Sequence, residues 1–175
     1  EDGAYDLSNP LNEMTGKEWV KFSCSWFIFN ALQKDLKEER EISPNTQDHP
    51  ATFSPTMIEN FVKFFTKKGE NVLDPLCGIG STLVACKRTG RVGYGIELNK
   101  KYHELSLKRT PEFKDNIFNE NAENIKKLNL PKIAFSISSP PYWNVLNRST
   151  KDFKTKRTKN GFDVNYSKHQ EDLGN

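Results

Sequence analysis

A chain of 175 residues, 35% hydrophobic and 28% charged, can bury one moderate core, and no shift in composition divides it into two domains. No apolar run approaches the roughly 20 residues of a membrane-spanning helix, and the opening Glu1, Asp2 and Gly3 lack the basic and apolar regions of a secretory signal, so a soluble, cytoplasmic protein is expected. A net charge of +3 is too small to argue for a nucleic-acid partner by itself, and Cys24, Cys77 and Cys86 have no metal-ligand spacing, which excludes a cysteine metal site and leaves them reduced and structural.

In chain order, residues 19–36 mix aromatics with helix formers and predict a helix, followed by a solvated charged stretch over 37–41. Pro44, Pro50 and Pro55 each lack an amide hydrogen and restrict the preceding residue, so 42–55 reads as a loop. Thr56 is the expected cap of a helix ending at Gly69, on which Met57, Ile58, Phe61, Val62, Phe64 and Phe65 recur at three- and four-residue spacing. Residues 71–73 predict a strand, 81–88 a helix stopped by Gly90, and 92–97 a second strand. Asn99 opens a helix to about Arg109, before Pro111. A weaker strand over 116–118, a short helix over 122–128 and a strand over 133–137 follow. Strands alternating with helices of this length imply a parallel sheet in a layered α/β fold. Beyond Trp143 the chain turns basic, with Arg148, Lys151, Lys154, Lys156, Arg157 and Lys159, so a core over 1–143 and a mobile basic segment over 144–175 are expected.

Between the first strand and its helix lies Asp74-Pro75-Leu76-Cys77-Gly78-Ile79-Gly80-Ser81-Thr82, the place where a doubly wound sheet opens its ligand crevice. Gly78 and Gly80 permit positive φ and leave no Cβ between ligand and backbone. Glu97, at the end of the next strand and about 20 residues on, suits an acid that binds ribose hydroxyls and repels a terminal phosphate. No Gly-Lys-Ser/Thr follows the glycines, which excludes a Walker-type phosphate loop. Asp74 is expected to face a cation instead, such as the ammonium or sulfonium of S-adenosylmethionine.

Ser139-Pro140-Pro141-Tyr142-Trp143 leaves the last strand at the same edge. Two prolines fix φ and remove two donors, which displays carbonyl oxygens beside the Ser139 hydroxyl and the Tyr142 ring. Acceptors so placed hold the hydrogens of an amino group and turn its lone pair towards an electrophile. Tyr142 offers a face on which a base taken out of a duplex could stack; Trp143 either assists or belongs to the core.

Together these segments resemble the amino-group DNA methyltransferases, which form N4-methylcytosine or N6-methyladenine with S-adenosylmethionine. The similarity covers about His49 to Trp143. It implies that Thr52, Phe53 and Ser54 help to seat the methionine part of the cofactor, that Asp74, Pro75, Cys77, Gly78, Gly80, Ser81 and Thr82 form the cofactor loop, and that Glu97 and Leu98 serve the ribose. Asn121, followed by Ala122, stands where the family usually has an acid near the adenine amino group, and Leu76 stands where phenylalanine is common. Ser139, Pro140, Pro141 and Tyr142 look like the catalytic motif. Serine in its first place is typical of the cytosine N4 enzymes, whereas aspartate or asparagine is usual in the adenine N6 enzymes.

The resemblance also implies a Rossmann-like, three-layer fold with seven strands in the order 3-2-1-4-5-7-6, of which this sequence supplies strands 3-2-1-4. The expected partners are therefore DNA and a covering for strand four: a second polypeptide, another copy of the chain, or the remainder of a longer parent protein. An RNA or protein amide methyltransferase, and a cofactor-binding half-subunit inactive without its partner, are the alternative readings.

Overall fold

The computed structural model describes residues 9–24, 54–140 and 151–159. Its first helix, α1 (Gly16–Phe22), starts earlier than the aromatic run suggests, because Thr15 and Glu18 form a capping box, and it stops at Ser23. The remainder of the helix expected over 19–36, the charged stretch after it and the loop up to Phe53 lie outside the described residues.

Helix α2 (Pro55–Phe65) is capped by Ser54, whose hydroxyl accepts the Met57 amide at 3.3 Å. The expected cap at Thr56 is therefore corrected by two residues. Pro55 occupies the first helical position, where its missing N–H costs nothing. The helix stops at Thr66, ahead of Gly69, and turns Pro55, Ile58 and Val62 into the core.

Strand β1 (Asn71–Asp74), helix α3 (Ser81–Thr89), strand β2 (Val92–Ile96) and helix α4 (Lys100–Arg109) follow as the alternating pattern predicts. Gly90 ends α3 in the left-handed conformation and returns its amide to Cys86 and Lys87. Asn99 caps α4. Two 3-10 regions, Pro111–Asn116 with a kink at Phe113 and Ala122–Lys127, flank β3 (Ile117–Phe118), and β4 (Phe135–Ser136) comes last. The ladder reaches one residue past β4 at each end, with Ala134 N–H donating to Asn71 and Ile137 N–H to Leu73.

All pairings are parallel, in the order β3-β2-β1-β4, which is the Rossmann-like arrangement expected. Ile58, Val62, Val72, Leu83 and Ile96 are fully buried around the two central strands. Gly93 and Gly95 admit this packing: a Cβ would lie 2.7 Å from Leu83 Cδ2 at the first and 2.8 Å from Cys77 Sγ at the second. Among the described residues β4 is the last strand at the sheet's other side, with Ser136 exposed and Phe135 stacked on the partly exposed Phe65 at 4.8 Å.

Buried Arg91 fixes the orientation of two helices. Its guanidinium donates to the carbonyls of Thr66 and Thr89, each at 2.7 Å, and to the Thr66 hydroxyl at 3.1 Å. Both helix C-termini thus meet at the start of β2. Within the basic segment, expected without regular structure, Lys151–Lys159 forms helix α5; lysine and arginine are good helix formers.

Candidate active site

Leu73 of β1 lies level with Ser136 of β4, so the chain leaves both strands at one edge. Asp74 and the glycine loop issue from β1 there, Ser138 to Pro140 from β4, Glu97 and Leu98 from β2, and Asn119 to Ala122 from β3. Thr52, Phe53, Pro141 and Tyr142 lie outside the described residues.

The loop is fixed at several points. Gly78 and Gly80 adopt φ of 53° and 83°, a region open to glycine at no steric cost. A Cβ on Gly80 would also come within 3.0 Å of Ser106 Cβ on α4. Ile79 between them is buried against Tyr102 and Leu105, while its carbonyl accepts Arg109 Nη1 at 2.7 Å. The Cys77 amide donates to Ile96 at 2.9 Å, which ties the loop to β2. Burial and the nearby Asp74 and Glu97 push the Cys77 thiol well up, and burial pushes Cys86 up to about 12, so both remain neutral packing groups.

Glu97 holds the loop from the neighbouring strand. One carboxylate oxygen accepts the Gly78 amide at 2.8 Å and the other the Asn99 amide at 2.7 Å. Asn119 secures the same corner by donating to the carbonyls of Glu97 and Leu98 at 2.8 and 3.1 Å. Asn121 caps the 3-10 turn, its side-chain oxygen accepting the Glu123 amide at 3.0 Å, so the acceptor expected near an adenine amino group is already engaged once.

Asp74 departs most from expectation. It is turned into the loop, 3% exposed, where it accepts from the Leu76 amide and the Thr82 hydroxyl. Burial raises its pKa; the bonds from Thr82 and Leu76, and the nearness of Ser138, oppose that rise. Ser138 Oγ is buried close to this carboxylate but makes no hydrogen bond of ordinary geometry. The donors to Asp74 are a hydroxyl and an amide, both neutral, so its charge sits in a desolvated setting that a nearby cation would relieve. The residues present therefore fit a cationic ligand carrying a ribose: an acid under the loop, two glycines at positive φ, and a second acid at the end of β2.

Three contributors escaped the sequence reading. Arg109 reads there as an ordinary basic residue at a helix C-terminus, and Ile79 as a spacer between glycines. Ser138 had a usable signal, since it adjoins the Ser139 motif.

A parallel sheet with a glycine loop after β1 and an acid after β2 defines a Rossmann-like domain built for a nucleoside-type cofactor. Residues 5–108, more than half of the chain, match the family model described as DNA methylase, and the chain belongs to that family. It is 31% identical over 120 residues to the Type II methyltransferase M.BglI of Bacillus subtilis, covering 67% of this chain and 31% of that protein. The Type II methyltransferase M.HpaI of Haemophilus parainfluenzae is 34% identical over 65 residues, covering 37% of this chain and 21% of M.HpaI. Among solved structures, the M1.HpyAVI complex with S-adenosylmethionine is 36% identical and covers 36% of this chain and 31% of its own, with a TM-score of 0.35. The chain thus spans about a third or less of the length of these relatives.

Proposed function

We propose that the chain is the cofactor-binding and catalytic part of a DNA methyltransferase that modifies the exocyclic amino group of a base taken out of the duplex, with cytosine N4 as the target. The observation that supports this reading is the parallel pairing of β1 with β4, from whose ends the glycine loop and the Ser138 to Pro140 segment both leave. Family membership and the likeness to Type II methyltransferases support DNA as the substrate.

In this reading S-adenosylmethionine binds the loop and supplies an electrophilic methyl group. Gly78 and Gly80 let it approach the backbone, Glu97 meets the ribose hydroxyls, and Asp74 sets a negative potential beneath its cationic portion. Ser54, Ser81 and Thr82 stand at helix starts, and in this reading they seat the methionine part together with Thr52 and Phe53. Asn121 and Ala122 border the adenine. The Ser139 hydroxyl and the Pro140 carbonyl accept the two hydrogens of the target amine and orient its lone pair, so no strong base is needed. Pro141 keeps that corner rigid and Tyr142 stacks on the base.

The test is mass spectrometry of nucleosides from DNA incubated with the cofactor and the chain, alone and together with the remaining segments of a full-length relative. N4-methyldeoxycytidine is the expected product. N6-methyldeoxyadenosine as the sole product would overturn the cytosine assignment, and labelled methyl groups on transfer RNA but never on duplex DNA would overturn the DNA assignment. Titration calorimetry with S-adenosylhomocysteine measures the cofactor site independently of turnover.

A further inference from the structure

Helix α5 (Lys151–Lys159) holds five basic residues and one acid, a net charge of +4 on nine residues, whereas the whole chain carries +3. The other 166 residues therefore sum to −1. All the excess positive charge of the protein is concentrated in one short helix.

Its arrangement is as informative as its amount. At about 100° per residue, the basic positions 151, 154, 156, 157 and 159 are spread around the whole circumference, with no arc wider than about 100° left uncharged. Lys156 and Lys159 are exposed and Lys154 is half-buried. Like charges three positions apart, as at 151 and 154, 154 and 157, and 156 and 159, destabilise a helix. A helix charged at positions around its whole circumference gains most from a partner that presents negative charge on more than one side.

The major groove of a duplex meets that requirement. Two phosphate rows border a channel about 12 Å wide, close to the 10–12 Å diameter of a helix with its side chains. Lys151 follows Pro140 by eleven residues, and a fully extended chain spans at most about 3.6 Å per residue, so the helix stays within about 40 Å of the proline corner. We propose that α5 is a phosphate-contacting helix that lodges in a groove of the duplex substrate and holds it beside the transfer site. This rests on the reading of the protein as a DNA methyltransferase and adds the element that grips the backbone.

The experiment is fluorescence anisotropy of a labelled duplex of arbitrary sequence, titrated with the 175-residue chain between about 50 and 200 mM salt. It is run beside the combined variant Lys154→Gln, Lys156→Gln and Lys159→Gln, and S-adenosylhomocysteine binding is followed by calorimetry for both proteins. Each phosphate neutralised contributes about 0.9 to the slope of log affinity against log salt, so the variant's slope should be shallower by about 2 to 3. Duplex binding at the lowest salt should weaken tenfold or more, with binding of S-adenosylhomocysteine unchanged. An unaltered slope in the variant, or stronger competition by single-stranded RNA of equal length than by duplex, overturns the proposal alone. A chain that binds S-adenosylhomocysteine but no duplex overturns it and leaves the cofactor site standing, whereas binding of neither sinks the methyltransferase reading as well.

Discussion

Replacing Glu97 by Gln tests whether the glycine loop is held in place from the neighbouring strand or merely folds beside it. The carboxylate satisfies two amides at once, Gly78 at 2.8 Å and Asn99 at 2.7 Å. Gln has nearly the same volume but only one oxygen, and its nitrogen donates, so one of the two amides must face another donor. A buried amide left without an acceptor costs about 1–3 kcal/mol. Glu97 is only partly buried, and water can take over part of the role, which places the expected loss at about 1–2 kcal/mol. For a chain of this size that corresponds to a fall of about 2–8 °C in melting temperature. The affinity for S-adenosylhomocysteine should fall about tenfold or more, because the loop and the ribose acid are disturbed together. Glu97→Asp keeps the charge but is one methylene too short to span both amides, so its melting temperature should lie between the other two. Thermal unfolding by circular dichroism and titration calorimetry supply the readings. A Gln variant melting within about 1 °C of the parent would refute the argument that this side chain sets the loop.

Three further outcomes follow from the same geometry. Gly95→Ala places a Cβ 2.8 Å from Cys77 Sγ and 3.1 Å from Cys77 Cβ; overpacking of this kind costs about 1–3 kcal/mol, and because Cys77 roots the loop, cofactor affinity should fall too, with Cys77→Ala in the same chain restoring both. Asp74 has its folded pKa raised above 3.8 by burial, so between those values the native state holds more protons than the unfolded one. Its contribution to stability is then fully present below pH 3.8 and is lost as pH rises through the folded pKa. The difference in melting temperature between the parent and Asp74→Asn should accordingly shrink in that window as pH rises, and a pH-independent difference would dismiss Asp74 as the titrating group. Arg91→Met leaves the Thr66 and Thr89 carbonyls without their donor; it should cost at least about 2 kcal/mol by denaturant titration, with the affinity of the folded protein for S-adenosylhomocysteine unchanged.

The parts of the fold that could be read from residues alone are those whose reasons are local. Gly80 and Gly90 sit where the backbone takes positive φ, and Asn99 caps α4 through its own side chain, so these boundaries are written in single residues. The start of α2 is equally local: Pro55 after Ser54 is a favourable helix start, although beside Pro44 and Pro50 it reads as a breaker. Thr15 and Glu18 likewise spell a capping box that the aromatic run from Trp19 obscured. Other features depend on approach in three dimensions. Arg109 reaches Ile79 only because α4 lies against the loop, and no spacing in the chain encodes that contact.

The inward turn of Asp74 belongs to this second kind, and it alters how the site works. A carboxylate displayed at the strand end would touch a ligand and nothing else. As observed, Asp74 binds the loop through Leu76, helix α3 through Thr82, and lies beside Ser138, just beyond β4. The acid, the loop and the approach to Ser139 therefore form one electrostatic unit. In the proposed enzyme, a cation arriving over the loop would favour the ionised acid and tighten the bonds it accepts from Leu76 and Thr82, which holds the loop against helix α3. Substitution of Thr82, which joins this carboxylate to helix α3, should therefore lower cofactor affinity, measured by titration calorimetry with S-adenosylhomocysteine.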